Sequence, residues 1–342
     1  MRVEHEILTL HTRDPFVIAR GAYSEHVNVL VRVIDDDGEY GLGESAPNAY
    51  YRETPGTAVE ALERAAPMLE SRGCDEGEAL ESELRRALPD ARSVTAALSV
   101  AILDLQAKKL GLPVHRMWGL DPADAPLSSF TISIADESAL AERVARAAAY
   151  PVLKIKLGAG DERRILAVVR SAAPDKALRV DANAAWSRAH AAGMLPVLMD
   201  HGVELIEQPL ASDDVDGLRE LTSLSPIPII ADESCRVAED VRRLAGAVHG
   251  INIKLAKCGG IHEARRMIDA ARGCGMSVMA GCMIESSVGI SGVAQLAPLL
   301  DYADLDGAAL LADDPYIGVS IPGGRVVFPP GAGIGVQRRD IA

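Results

Sequence analysis

Three acidic residues follow apolar runs at nearly constant spacing. Asp181, Glu207 and Asp232 each end such a run, and successive acids are 26 and 25 residues apart. This period corresponds to one strand–helix unit, and parallel strands end at the same edge of a sheet. Three carboxylates at one edge repel one another, and a hard divalent cation such as Mg²⁺ relieves that repulsion. The alternative is that each acid caps the helix that follows it.

Lysines end two other apolar runs. Lys154 and Lys156 are two residues apart, so both point to one face of a strand, while Lys254 ends a later run and Lys257 follows it. If the β-rich runs of this chain close into a ring of eight strands, these two runs lie four strands apart. Lys156 and Lys254 would then stand on opposite sides of the open end, or mouth, of that ring. Opposed amines suit the removal of a proton from one face of a carbon and its return to the other. Nearby positive charge is expected to lower the lysine pKa. The alternative is that these lysines only pair with the carboxylates.

The same cation would ease the chemistry that two opposed bases suggest. A proton next to a carboxylate is weakly acidic, and its removal builds negative charge on the carboxylate oxygens. A divalent cation bound to those oxygens stabilises the resulting enediolate. Together the acids and lysines therefore predict Mg²⁺-assisted proton transfer at a carbon.

Short β-rich runs alternate with amphipathic helical segments from residue 127 onward, which favours parallel strands. A closed (β/α)8-type barrel, here (β/α)7β, is the predicted α/β fold, with a doubly wound open sheet as the alternative. Its predicted strands are Ser129–Ile134, Val152–Lys156, Leu178–Asp181, Val203–Ile206, Pro228–Ala231, Gly250–Lys254, Met276–Ala280 and Ala303–Leu305.

The flanking sequence predicts a second domain. Residues 1–118 indicate an α+β domain with a hairpin of Val27–Ile34 and Glu39–Glu44, and helices over Thr57–Glu70 and Ser93–Leu110. Residues 119–318 form the predicted barrel. The tail, 319–342, is rich in Gly and Pro, carries one predicted strand at Arg325–Phe328, and is expected to pack back on the first domain.

Composition excludes several classes of protein. The formal net charge of −14 argues against nucleic acid as a partner, because that binding needs clustered Lys and Arg. No run of 18 apolar residues predicts a membrane span. Five cysteines without paired spacing argue against a disulfide framework and fit a cytoplasmic location.

Five motifs in order carry a family resemblance: Lys-Ile-Lys, Asp-Ala-Asn-x-x-Trp, Glu-Gln-Pro-Leu, Ala-Asp-Glu-Ser and Asn-Ile-Lys-Leu-x-Lys-x-Gly-Gly. They resemble the muconate-cycloisomerase branch of the enolase superfamily over essentially the whole chain. The resemblance implies a capping domain over the barrel, one Mg²⁺ per subunit and a lysine acid/base pair. The implied residues are Asp181, Glu207 and Asp232 for the metal, Lys156 and Lys254 for proton transfer, Lys154 beside the base and the substrate carboxylate, and Asn183 and Lys257 in support.

Two aspartates distinguish the reactions within this branch. Asp304 and Asp306 are two residues apart on the eighth predicted strand, so both anions face the mouth. They would repel a dianionic muconate and hold a free α-ammonium group. The pair is similar to the motif with which dipeptide epimerases bind the N-terminal ammonium. The alternative is that either aspartate caps the segment that follows.

Other pocket residues are implied by the resemblance alone. The segment Pro15–Gly21 resembles the loop of L-Ala-D/L-Glu epimerases in which an arginine meets the glutamate side chain. Arg20 matches that arginine, with Arg52 as a weaker candidate and a solvated surface role as the alternative. Thr131 and Cys282 are expected to line the pocket.

The function expected from these features is Mg²⁺-dependent epimerisation of the C-terminal residue of a dipeptide, with L-Ala-D/L-Glu foremost. That substrate would connect the protein with murein-peptide recycling. An N-acylamino-acid racemase, an o-succinylbenzoate synthase and a catalytically silent dipeptide-binding protein remain alternatives. The sequence leaves open whether the chain forms a homo-oligomer.

Overall fold

The computed structural model describes residues 1–340, so Ile341 and Ala342 of the predicted tail lie outside the described residues. Its strands are β1 (Arg2–Ile18), β2 (Gly21–Ile34), β3 (Tyr40–Ser45), β4 (Phe130–Ile132), β5 (Val152–Lys156), β6 (Ala177–Asp181), β7 (Val203–Glu207), β8 (Ile229–Ala231), β9 (Gly250–Ile253), β10 (Ser277–Gly281), β11 (Tyr302–Asp304), β12 (Tyr316–Ile317) and β13 (Gln337–Arg338). Its helices are α1 (Pro55–Leu69), α2 (Gly77–Ala87), α3 (Arg92–Lys109), α4 (Val114–Met117), α5 (Glu137–Arg146), α6 (Glu162–Ala172), α7 (Arg188–Asp200), α8 (Val215–Leu224), α9 (Ala238–Leu244), α10 (Leu255–Cys258), α11 (Ile261–Gly273) and α12 (Ser287–Ala294).

Strands β4 to β11 form a parallel sheet whose spatial order follows the order in the sequence. The two ends of this sheet meet, because Ser128 pairs with Ala303 and the Ser129 amide donates to the Ala303 carbonyl at 3.0 Å. A doubly wound sheet would reverse its strand order at a switch point, and this sheet does not. After β11 comes a short 3₁₀ turn at Ala308–Leu310. The predicted (β/α)7β barrel is therefore confirmed.

Alternation along the strands separates a dry outer face from a polar interior. Leu153 and Ile155 of β5 belong to the core between the barrel strands and their helices. Lys154 and Lys156 point the other way, toward the barrel axis. Because both lysines are buried there, their charges require partners from neighbouring strands.

A separate three-stranded antiparallel sheet, ordered β1-β2-β3, forms the N-terminal capping domain with helices α1 to α3. The sequence pattern does not predict β1, because only Leu8 and Leu10 of its side chains are buried. The expected loop at Pro15–Gly21 is instead the tip of the β1–β2 hairpin, since Phe16 pairs with Tyr23 across it. Long paired strands thus carry this tip toward the barrel.

Two glutamates of the capping domain dock it on the barrel. Glu44 on β3 accepts hydrogen bonds from the amides of Ser286 (3.0 Å) and Gly289 (3.1 Å) at the start of α12. Glu81 on α2 accepts from the amides of His262 (2.9 Å) and Glu263 (2.7 Å) at the start of α11. A carboxylate satisfies the orphan amides and the positive end of a helix. These contacts fix where the capping domain sits above the barrel.

The tail differs in part from its prediction. The predicted strand at Arg325–Phe328 is wrong: Val327 makes a single bridge with Ser320, and the segment is bounded by a Gly turn and the pair Pro329-Pro330, which cannot extend a ladder. Nearby, the Val114 amide donates to the Gly333 carbonyl at 3.0 Å, so the tail does contact the helices of the first domain. The domain boundaries at residues 118 and 319 stay a prediction.

Within residues 1–340, no helix has the length and apolar character needed to cross a bilayer.

Strand β3 packs unusually closely on helix α3, and glycines permit it. A Cβ atom on Gly41 would overlap the carbonyl oxygen of Ala101, and one on Gly43 would overlap that of Ala97. Both glycines therefore permit close helix–sheet contact.

We expect Gly43→Ala to lower the free energy of unfolding by about 1–3 kcal/mol, because backbone atoms of α3 must move to admit the methyl group. The matched control is Gly193→Ala on the exposed side of α7, where nothing lies within 4 Å of the added carbon. That change should leave stability unchanged or raise it by about 0.5–1 kcal/mol. Thermal unfolding of both variants checks the pair, and equal stability of the two would contradict the packing argument.

Candidate active site

The three predicted carboxylates lie side by side at one end of the barrel. Asp181 and Glu207 are the last residues of β6 and β7 and pair in register, and Asp232 directly follows β8. All three are buried. The side chains that cap helices α7 and α8 are Ser187 and Asp214, so these acids do not act as caps for them.

The two opposed lysines each contact one of these carboxylates. Lys156 Nζ lies 2.7 Å from Asp181 Oδ2, and Lys254 Nζ lies 2.8 Å from Asp232 Oδ2. Burial lowers the pKa of Lys254, but Asp232 and Glu207 outweigh it and raise that pKa above its ordinary value. This direction is opposite to the lowering that the sequence leads us to expect, because the nearest carboxylates are in direct contact.

Lys154 connects three carboxylates at the centre of the barrel mouth. Its Nζ lies 2.6 Å from Asp304 Oδ2, 2.6 Å from Glu207 Oε2 and 3.3 Å from Asp181 Oδ2. Burial opposes its charge, yet the three anions hold the pKa of Lys154 well above its usual value. Lys154 is therefore a permanent cation that compensates the acidic cluster.

Two further residues brace the outer acids. The backbone N–H of Asn183 donates to Asp181 Oδ1 at 2.8 Å. Asn183 has a left-handed backbone conformation, with φ of 46°. Lys257 Nζ donates to the Asp232 carboxylate and backbone carbonyl, and to the Cys235 carbonyl at 3.0 Å. Asn183 and Lys257, both predicted in a supporting role, thus each contact one of the three acids.

Sequence reasoning missed one brace. Asn252 Nδ2 donates to Glu207 Oε1 at 2.8 Å. The signal was present, because Asn252 and Lys254 are two residues apart near the end of β9 and so share its inward face. A buried amide two residues before a catalytic candidate is a pattern that could have identified it.

The donor set suits a hard cation. Within residues 1–340, no three acidic, His or Cys side chains converge as a ready metal cluster, and lysines contact the acids instead. The donors are nevertheless buried carboxylate oxygens on adjacent strand ends. Burial together with Asp181 raises the pKa of Glu207 to about 7, although Lys154 lies 2.6 Å from its Oε2. Three buried carboxylates on neighbouring strand ends are a chemical match for Mg²⁺.

The aspartate pair at the end of β11 divides into a compensated and an uncompensated anion. Asp304 contacts Lys154 and accepts from Ser129 Oγ at 2.6 Å. Asp306 accepts from the Thr131 amide at 2.6 Å and forms no ion pair among residues 1–340. Burial and Asp304 raise the pKa of Asp306 to about 7. Neither side chain caps the turn at residues 308–310.

The three lysines that lie on β5 and directly after β9, together with the aspartate pair, line a cavity of about 660 Å³ between the barrel mouth and the capping domain. Thr131 and Cys282 line it, as predicted. Burial raises the pKa of the Cys282 thiol well above its usual value, so this group stays protonated. The capping-domain wall of the cavity combines apolar and aromatic residues, such as Phe16 and Tyr50, with charged and polar ones, such as Glu25.

Arg20 also lines this cavity, at the turn of the β1–β2 hairpin. Its Nη1 donates to Glu233 Oε1 at 2.9 Å and to the Asn183 carbonyl at 2.7 Å, and its guanidinium lies 4.5 Å from the centre of the Tyr50 ring. Its side chain is partly exposed, but these contacts anchor it, so it is not a freely solvated surface residue. Arg52 is exposed and does not line the cavity.

Sequence reasoning missed Glu233, although it directly follows Asp232. Burial, Asp232 and Asp181 raise the pKa of Glu233, while Lys254 and Arg20 act to lower it. In the sequence, Glu233 has no role that Asp232 beside it does not already fill. Its ion pair with Arg20 becomes visible only when the β1–β2 hairpin is placed above the barrel.

Two family models cover nearly the whole chain. One described as "Mandelate racemase / muconate lactonizing enzyme, N-terminal domain" matches residues 2–119, and one described as "Enolase C-terminal domain-like" matches residues 136–341.

Individual proteins agree with these matches. An L-Ala-D/L-amino acid epimerase of Maribacter sp. is 38% identical, over 98% of this chain and 99% of the relative. The L-Ala-D/L-Glu epimerase of Escherichia coli is 35% identical, over 92% and 95%. A dipeptide epimerase structure from Enterococcus faecalis, complexed with Mg and L-Leu-L-Tyr, has a TM-score of 0.93 and 30% identity, over 98% and 99%. The resemblance read from the motifs is thereby confirmed: this chain belongs to the mandelate racemase/muconate lactonizing enzyme family of the enolase superfamily.

Proposed function

We propose that the protein is a Mg²⁺-dependent dipeptide epimerase that inverts the α-carbon of the C-terminal residue. The observation that carries this proposal is the pair of lysines, Lys156 and Lys254, on strands four apart around one cavity that also holds an uncompensated carboxylate, Asp306. The names of the relatives, which include epimerases of alanyl dipeptides, support the same reaction.

Asp181, Glu207 and Asp232 would hold the Mg²⁺. When bound, the cation supplies positive charge where the substrate carboxylate gains negative charge as its α-proton leaves. The protein residues then transfer the proton: one lysine accepts it on one face of the carbon, and the other donates from the opposite face. The apolar and aromatic residues of the capping-domain wall keep bulk water from the reacting carbon.

The aspartate pair would select the free amino terminus. Lys154 already compensates Asp304, so Asp306 remains the carboxylate with an unmet charge. A substrate ammonium next to Asp306 would favour its ionised form and offset the burial that raises its pKa. This anion disfavours N-acylated and dianionic substrates, which is the argument against an N-acylamino-acid racemase or an o-succinylbenzoate synthase.

L-Ala-D/L-Glu is the first substrate to test. Arg20 on the cavity wall supports it, and recycling of murein peptides would follow from it. The cytoplasmic location expected from the sequence stays a prediction. A catalytically silent binding protein is the alternative from another class, and two opposed lysines are more than binding alone requires.

We expect Asp232→Asn to weaken Mg²⁺ binding strongly, because it removes one of three anionic ligands. The control is Asp214→Asn, another aspartate that follows a barrel strand, whose side chain caps α8. Calorimetric titration of both variants with Mg²⁺ checks this, and chelation should abolish wild-type activity. Equal affinities in the two variants, or full activity after verified metal removal, would contradict the assignment.

We expect Lys254→Ala and Lys156→Ala each to abolish epimerisation while leaving α-hydrogen exchange with one epimer. In each variant the remaining lysine still faces one side of the carbon and exchanges its protons with D₂O. NMR of each epimer of L-Ala-Glu in D₂O measures this, and the two variants should prefer opposite epimers. Interconversion of the epimers near the wild-type rate in either variant would contradict the two-base mechanism. If the wild-type protein itself exchanges no α-hydrogen with D₂O, the result would favour a catalytically silent binding protein.

We expect Asp306→Asn to reduce kcat/KM for a free dipeptide by at least about tenfold, because a charged hydrogen bond to the ammonium is lost. Its effect on thermal stability should be small, since the residue makes no ion pair. Wild-type protein should likewise discriminate against N-acetyl-L-Ala-L-Glu. If the acetylated and free dipeptides are equally good substrates, the ammonium argument is wrong.

A further inference from the structure

Arg20 lines the cavity, and its positive charge is already paired with a carboxylate of the protein. The side chain of Glu233 is only 1% exposed and lies beneath the guanidinium, whose own side chain is 32% exposed. One nitrogen, Nη1, makes both the contact with Glu233 and the contact with the Asn183 carbonyl. The arginine is thus anchored from the barrel side although it belongs to the capping domain.

The rest of the guanidinium remains open toward a ligand. Among residues 1–340, Nε and Nη2 of Arg20 donate no hydrogen bond to the protein, and Arg20 forms part of the cavity wall. An Arg fork can present two parallel donors to a carboxylate or to an amide oxygen. Its hydrogen-bonding capacity is therefore free, while its net charge is offset by a carboxylate 2.9 Å from Nη1.

We propose that Glu233 is a specificity-determining residue that positions Arg20 and offsets its charge, so that the cavity accepts an anionic side chain and its neutral isostere alike. This inference rests on the proposed function and names the class of second residue that the site takes. Without Glu233, Arg20 would attract an anionic side chain with its full charge. With Glu233, recognition depends on hydrogen bonding, which a side-chain amide also satisfies.

The substrates that isolate this effect are L-Ala-L-Glu and L-Ala-L-Gln, which differ in charge and hardly in shape. Asp181, Asp232 and Lys254 surround Glu233, and a change at position 233 also acts on them. Those effects reach both substrates equally, because both place the same α-carbon among the same groups. The ratio of kcat/KM for the two substrates therefore reports the side-chain pocket alone.

The experiment measures this ratio, Glu substrate over Gln substrate, in four proteins: wild type, Glu233→Gln, Arg20→Ala and the double variant. We expect a wild-type ratio within about tenfold of one. Glu233→Gln should raise the ratio about tenfold, since glutamine retains a hydrogen-bonding oxygen and loses the charge. In the double variant the ratio should equal that of Arg20→Ala, because Glu233 acts through Arg20.

Three results would overturn the inference: a wild-type ratio above about tenfold, an unchanged ratio in Glu233→Gln, or an equal rise when Arg20 is absent. The wild-type ratio provides the test even if Glu233→Gln does not fold. The matched control is Glu53→Gln, which removes a buried acid that lines the cavity and accepts hydrogen bonds from the backbone amides of Arg92 and Ser93. It should leave the ratio unchanged, and a rise equal to that of Glu233→Gln would also overturn the inference.

Failure of the proposed function is distinguishable from failure of this inference. If wild-type protein turns over neither dipeptide, the epimerase proposal fails. The ratio of calorimetric dissociation constants for the same two dipeptides still tests the role of Glu233, with the same expected order among the four proteins.

Discussion

Everything in this barrel depends on the compensation of buried charge at its mouth. Acidic side chains on β6, β7 and β11 and after β8 alternate in space with ammonium groups from β5 and β9. No single one of these charges would be tolerated in so buried a place, because the cost of removing an ion from water is several kcal/mol. Lys154 is the clearest case, since one fully buried ammonium contacts carboxylates from three strands. The cluster is therefore a single electrostatic unit, and the properties of each member depend on the others.

This mutual dependence explains the directions of the pKa shifts. Asp181 and Asp232 touch lysines, and their pKa values are depressed despite complete burial. Asp306 has no such partner, and its pKa is raised. A contacting cation is not sufficient by itself: Glu207 contacts Lys154, yet burial and the charge of Asp181 raise its pKa. A bound divalent cation or a substrate ammonium would enter this balance at the acids whose charge is least compensated.

The second requirement is a fixed position for the capping domain. Glu44 and Glu81 cap two barrel helices from outside the barrel, and these buried contacts orient the β1–β2 hairpin above the mouth. Arg20, at the hairpin turn, then reaches Glu233, which follows β8. Chain segments more than 200 residues apart in sequence thereby meet where Arg20 lines the cavity. In our proposal, selectivity for the side chain of a substrate arises at this junction, whereas proton transfer uses residues of the barrel alone.

The sequence by itself determined the barrel and the carboxylates and lysines at its mouth. The strand–helix period placed Asp181, Glu207 and Asp232 in register, and the two-residue spacing aligned Lys154 with Lys156, because both patterns follow from local backbone geometry. Only the tertiary structure decided the partners of those residues. That Lys154 compensates Asp304, that Asn252 braces Glu207 and that Glu233 offsets Arg20 each depend on strands or domains meeting in space. The strand β1 escaped prediction for a related reason: its few buried side chains meet their core only after the hairpin pairs. Charge balance, and with it the selectivity that we propose, therefore depends on long-range packing, which local sequence patterns do not encode.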